Sequence, residues 1–146
     1  MSFVRIWVHC VSGVKNRENL INSTLKNVLY NHIREYCTKN NIYLDSINGV
    51  EDHIHLLISL NNDQSIAKVI NLIKGESSHW INQNGLLPTK FEWARDYFAV
   101  SVSESNIQKV RDYIKNQEAH HKKKSFHEEY NEFIQKYGFE KFNPKG

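Results

Sequence analysis

Residues 42–60 read IYLDSINGVEDHIHLLISL, and the reading of this stretch decides the fold. Ile42 to Ile47 and His53 to Leu60 are apolar runs of strand length, and Asn48-Gly49 between them has the composition of a turn. The stretch therefore predicts an antiparallel hairpin. In its second arm, alternation sends His53 and His55 to one face, about 7 Å apart along the strand, and Ile54, Leu56 and Ile58 to the other. Two imidazoles on one face are how a strand presents two ligands to one metal ion. A pair of half-exposed strand histidines has the same pattern. Glu51 and Asp52, just before the pair, read either as turn residues or as acidic support for it.

Working outward, residues 3–12 alternate, with Phe3, Arg5, Trp7, His9 and Val11 on one face and Val4, Ile6, Val8 and Cys10 on the other, which is a strand. From about Glu18 to Thr38, Ile21, Leu25, Val28, Leu29, Ile33 and Tyr36 form the stripe of an amphipathic helix that Asn40-Asn41 ends. A second helix runs from about Ser65 to Asn82, with Ile66, Val69, Ile70, Ile73, Trp80 and Ile81 inward and Asp63 or Ser65 as its cap. Gly75 inside it marks a kink or a close approach. Gly85 and Pro88 sit in a loop, and Phe91–Trp93 and Tyr97–Ser103 read as strand. Ser105-x-x-Gln108 is a capping box opening a third helix through about Lys124, with Ile107, Val110 and Ile114 inward. A short aromatic helix within 126–141 (Phe126, Tyr130, Phe133, Ile134, Tyr137) closes the chain. The order β-α-β-β-α-β-α predicts an α+β fold: one domain over 1–146, with a ferredoxin-like antiparallel sheet, helices on one face and an extra C-terminal helix.

The 146 residues suit a single core, and 40% hydrophobic with 24% charged residues is the composition of a globular domain. No apolar run approaches the roughly 18–20 residues of a membrane span. MSFVRIWVHCVSG lacks the basic start and cleavage site of a signal peptide. Cys10 and Cys37 read as buried thiols of a cytoplasmic protein, and no glycine-rich phosphate loop is present, which argues against nucleotide chemistry. The net charge of +3 is local: residues 1–104 carry ten Lys/Arg against ten Asp/Glu, 105–125 six against two, and 126–146 three against four.

That basic stretch is the predicted third helix. Tyr113, Gln117 and then His120 or His121 share one of its faces at i, i+4 and i+7 or i+8. A glutamine carbonyl is a hard oxygen ligand, and tyrosine is able to act as a covalent nucleophile. The plainer reading is a Tyr–Gln pair that completes a packing surface. His120-His121-Lys122-Lys123-Lys124 reads as a solvated helix end facing the helix dipole, or as a contact for a nucleic-acid backbone. Trp80, Trp93, Tyr97 and Phe98 read as core rather than as base-stacking platforms, and His9, His32, His79 and His127 as structural.

Val50-Glu51-Asp52-His53-Ile54-His55-Leu56-Leu57 resembles the His-hydrophobe-His (HUH) segment of single-tyrosine transposases of the insertion-sequence-200/605 type, the IS200-like family. Segments 73–82 (IKGESSHWIN), 97–103 (YFAVSVS), 113–121 (YIKNQEAHH) and 125–130 (SFHEEY) resemble further blocks of that family in the same order, so the likeness spans essentially the whole chain. The resemblance implies a metal-dependent transposase that cleaves and rejoins single-stranded DNA through a 5′-phosphotyrosine. His53, His55 and Gln117 would hold Mg²⁺ or Mn²⁺, Tyr113 on a catalytic helix of about 105–124 would be the nucleophile, and no nucleotide would be needed. It further implies a homodimer that pairs sheet edges and hairpins at the DNA ends as targets, beside which Lys74, His120, His121, Lys122, Lys123 and Lys124 are the candidate DNA contacts. A catalytically silent hairpin-binding protein of the same fold is the alternative. Replication initiators and relaxases with the same HUH segment usually carry a third histidine or a larger domain.

Overall fold

The hairpin forms with a different turn from the one its composition suggests. In the computed structural model, which describes residues 1–121 together with Glu128, Asn131 and Glu132, β2 (Tyr43–Val50) pairs antiparallel with β3 (His53–Leu60). Val50 lies opposite His53, so Glu51-Asp52 is the connection, while Asn48 and Gly49 sit inside the ladder opposite His55 and Ile54. Gly49 is needed there for clearance. A Cβ at that position would collide with the His53 carbonyl oxygen and stand 2.8 Å from the Ile54 Cα. The turn is pinned from outside by Val14 N–H donating to the Asp52 carbonyl (2.7 Å) and Ile21 N–H to that of Glu51 (2.9 Å).

β1 (Ile6–Val14) lies between β3 and β4 (Trp93–Val102), giving a sheet in the order β2-β3-β1-β4 with every neighbour antiparallel. β4 is one continuous strand where the sequence suggested two pieces, and Phe91 just before it is held by both ends of the Asn82 amide (2.8 and 2.9 Å). α1 (Ser23–Lys39) starts later than its apolar pattern does. Asn22 caps it by accepting from Leu25 N–H, and Lys15–Arg17 upstream form a 3-10 turn in which Asn16 and Arg17 adopt left-handed φ of 58° and 56°. In α2 (Ile66–Gln83), Ser65 is the cap, accepting from Lys68 N–H. The helix runs unbroken through Gly75, with open space where a Cβ would stand, so that glycine marks neither a kink nor a close approach.

The sheet has two covered faces. On one, Val8, Cys10, Ile54, Leu56 and Ile58 pack against Leu25, Leu29 and Ile33 of α1 and Ile70, Ile73 and Ile81 of α2. Val28, counted in the predicted stripe, is exposed. Trp80 is half-buried and stacks on His32 (3.9 Å between rings), whose Nε2 pairs with Glu76 across the α1–α2 seam. On the opposite face, Trp7 and Leu57 form a smaller core with Ile107 and Ile114 of α3 (Ile107–Lys115), flanked by Val102, Val110 and Tyr113. The extra helix thus covers the face that the first two leave bare, and β3 is buried on both sides.

The expected capping box is absent. Glu104–Asn106 form a 3-10 turn, and Ser105 Oγ faces Ser103 Oγ instead of an amide of the helix. What fixes the approach is Glu104, whose carboxylate takes hydrogen bonds from Arg5 (2.9 Å) and the Trp7 indole (2.8 Å). The single helix expected to about Lys124 is also broken, at Asn116 (φ −98°, ψ 23°), after which α4 spans Gln117–His121. Lys122–Lys124 and most of the expected tail helix over 126–141 lie outside the described residues. Among the described residues no helix is long and apolar enough to cross a membrane. Cys10 and Cys37 are free thiols, and burial pushes both up to about 12, so neither is a nucleophile at neutral pH.

Candidate active site

Strand alternation and sheet register bring His53 and His55 to the face covered by α3. Gly13, Val11 and His9 of β1 lie on that face beside them, because Gly13 pairs with His53 and Val11 with His55. Both imidazoles are fully buried, as is Gln117. They are not the half-exposed pair that the sequence left open. Tyr113, one helical turn before Gln117, puts its ring 5.6 Å from that of His55 and nearly perpendicular to it.

Each histidine has its Nδ1 engaged. His53 Nδ1 lies 2.7 Å from Asp52 Oδ1, which settles Asp52 as support for the pair as well as a turn residue. His55 Nδ1 lies 2.9 Å from His9 Nε2. The Nε2 atoms of both rings are buried on the remaining edge. Gln117 donates from Nε2 to the Tyr113 carbonyl (3.2 Å), and that bond orients its amide. Its Oε1 is left buried with no hydrogen bond among the described residues. A buried carbonyl oxygen in that condition costs about 1–3 kcal/mol unless something else satisfies it. Two imidazole nitrogens and one amide oxygen are an open donor set that suits a divalent ion with room for water or phosphate oxygens. The residues present fit Mg²⁺ or Mn²⁺.

The helix bearing Tyr113 is fixed to the outer strand by two devices. A bulge in β2 between Leu44 and Ser46 projects Asp45, which takes a two-pronged hydrogen bond from Arg111 (2.9 and 2.8 Å). Asn48 donates to the carbonyls of Ile114 (2.9 Å) and Lys115 (3.0 Å), satisfying the end of α3 just before the break. Beyond it, Glu118 of α4 pairs with Lys26 of α1. Burial raises the Asp45 pKa, but the hydrogen bonds from Arg111 and Ser46 outweigh it and hold the carboxyl below the ordinary range. A carboxyl depressed in the folded state stabilises the fold above its unfolded pKa of about 3.9 and loses that contribution as pH falls through the folded value. Asp45→Asn is therefore expected to melt lower than the parent at pH 7, with the gap closing as pH falls below about 4. Melting curves between pH 7 and 3 check this, and a gap that stays constant would contradict it.

The other residues singled out in the sequence divide. Lys74 does not join the cluster: it sits on α2, across the sheet, with Nζ donating to the Arg95 carbonyl (2.9 Å) and lying over the Tyr97 ring. His120 and His121 are in α4, and Lys122, Lys123 and Lys124 lie outside the described residues. His9, read as structural in the sequence, also lies in this cluster. Its only signal was membership of the Trp7–Val11 face, and nothing local says that this face meets His55.

Residues 2–117 match the family model described as "Transposase IS200 like". The chain is 28% identical over 114 residues to transposases for insertion sequence element IS200 from Salmonella typhimurium and Salmonella typhi, covering 75% of this chain and 74% of each relative. Its fold is similar to the crystal structure of a putative transposase from Deinococcus radiodurans R1 (TM-score 0.65, 21% identity, 80% of this chain and 93% of that one). It is also similar to a REP-associated tyrosine transposase bound to a REP hairpin (TM-score 0.63, 14% identity, 83% and 72%).

Proposed function

Since the chain belongs to the IS200-like transposase family, we propose that it cleaves and rejoins single-stranded DNA during transposition, with Tyr113 as nucleophile and a divalent ion held by His53, His55 and Gln117. The observation that carries this reading is a pair of buried imidazoles on the sheet face covered by α3 with the Tyr113 ring 5.6 Å from one of them, joined by a buried Gln117 whose amide is bonded to the Tyr113 carbonyl and whose Oε1 takes no hydrogen bond among the described residues. When bound, the ion supplies Lewis-acid polarisation of the scissile phosphate. The Tyr113 hydroxyl attacks phosphorus, the P–O3′ bond breaks, the phosphate stays on the tyrosine and the 5′ end, and the phenolic proton leaves as the 3′ oxygen gains one. The bond energy is kept in the phosphotyrosine, so rejoining needs no nucleotide. Asp52 Oδ1 beside His53 Nδ1 and His9 Nε2 beside His55 Nδ1 are placed to accept ring protons there, which would leave Nε2 of each ring as the ligand nitrogen.

The DNA substrate in this proposal carries terminal hairpins, in keeping with the hairpin-bound relative, and the protein works in the cytoplasm as a homodimer. The test is incubation with single-stranded DNA from the element's flank and Mn²⁺, followed by a denaturing gel. A protein–DNA adduct that disappears with EDTA is the expected result. Hairpin binding with no adduct would favour the catalytically silent alternative.

A further inference from the structure

We propose that His9 is a positioning residue: it fixes His55 in the tautomer that offers Nε2 as a ligand, and it holds the Tyr113 ring beside that ligand. The proposal rests on the metal reading of His53, His55 and Gln117 given above. His9 and His55 are both buried, their rings are 5.2 Å apart, and His9 Nε2 is 2.9 Å from His55 Nδ1. The same His9 ring meets Tyr113 edge-on at 6.0 Å. One side chain of β1 therefore touches both a ligand on β3 and the nucleophile on α3.

A neutral imidazole carries one ring proton, and the nitrogen that carries it cannot ligate. For His55 to present the Nε2 lone pair, its proton must be on Nδ1, and in a dry interior that N–H needs an acceptor. His9 Nε2 is that acceptor, which puts the proton of His9 on its own Nδ1. The two ligands are thus held by different chemistry: a carboxylate behind His53 and a neutral imidazole behind His55. The second arrangement orients the ring without bringing another negative charge into the buried side of the site.

If His9 only fills volume between sheet and helix, leucine will replace it. If it acts as acceptor, glutamine will, because its amide oxygen is able to take the same hydrogen bond. Two readouts separate these on the full chain. In metal-free protein, long-range ¹⁵N–¹H spectra report the His55 tautomer: Nδ1–H is expected in the parent and in His9→Gln, and Nε2–H in His9→Leu. In calorimetric titration with Mn²⁺, His9→Leu is expected to bind about 10–100-fold more weakly, the usual cost of losing such a partner, and His9→Gln within about threefold of the parent. A parent protein whose His55 carries its proton on Nε2 overturns the proposal, and this outcome does not depend on His9→Leu folding. A folded His9→Leu with parental tautomer and affinity also overturns it, leaving the metal reading intact. A parent that binds no Mn²⁺ overturns the metal reading and this proposal together.

Discussion

Tyr113→Phe is expected to abolish the covalent protein–DNA adduct, with cleavage falling by about 10⁴-fold or more, the range for loss of a nucleophile. Hairpin affinity is expected to stay within about twofold, since phenylalanine keeps the ring that meets His9 and His55 at 6.0 and 5.6 Å. The Gln117 amide bonds the backbone carbonyl of residue 113, so the amide stays oriented after the substitution and Mn²⁺ binding should persist. Only the hydroxyl oxygen is removed. An adduct at parental yield would place the nucleophile elsewhere. The other described tyrosines are poorly placed for that role: Tyr30 is buried in the larger core, Tyr36 on α1 and Tyr97 on β4 pack against that same core on the far face of the sheet, and Tyr43 lies on the outer strand.

Gly49→Ala is expected to be among the most damaging single changes in the chain, costing about 3 kcal/mol, at the upper end for overpacking. The new methyl would meet backbone, the His53 carbonyl and the Ile54 Cα, and backbone in a paired ladder has no rotamer with which to give way. For a domain of this size the midpoint should fall by roughly 10 °C. Because the clash is with His53 itself, Mn²⁺ affinity should fall with it. Thermal and urea melts check the first effect and calorimetry the second; a loss under about 1 kcal/mol would mean that β2 and β3 separate there at little cost.

Much of this was legible in the sequence because its signals are local. His53 and His55 are two residues apart on a strand, and Tyr113 and Gln117 are four apart along a helical pattern, so short-range periodicity places each pair on one face. The errors occur where a distant partner decides. Asn48-Gly49 has the composition of a turn, yet the ladder needs the glycine's bare backbone and the end of α3 needs the asparagine's amide. Ser105-x-x-Gln108 has the form of a capping box, but Glu104 bonding to Arg5 and Trp7 sets the entry of that helix. The break at Asn116 has no apolar signature, and it sits where Asn48 takes the carbonyls of Ile114 and Lys115. The place of His9 beside His55 was not legible, because that contact depends on a β1–β3 register joining residues 46 positions apart in the chain.

The unequal cores on the two faces of the sheet give the site two clocks. The histidine pair lies on an inner strand with neighbours on both edges and cover on both faces, so its amides should exchange with solvent only when the whole molecule unfolds. Tyr113 and Gln117 depend on a layer seated mainly by Trp7, Leu57, Ile107 and Ile114. That layer is small enough to lift in a partial opening of lower free energy. Amide exchange in α3 should therefore be faster than in β3 by orders of magnitude, with equal rates as the contrary result. The proposed nucleophile would then come and go many times within the lifetime of the proposed ligand pair.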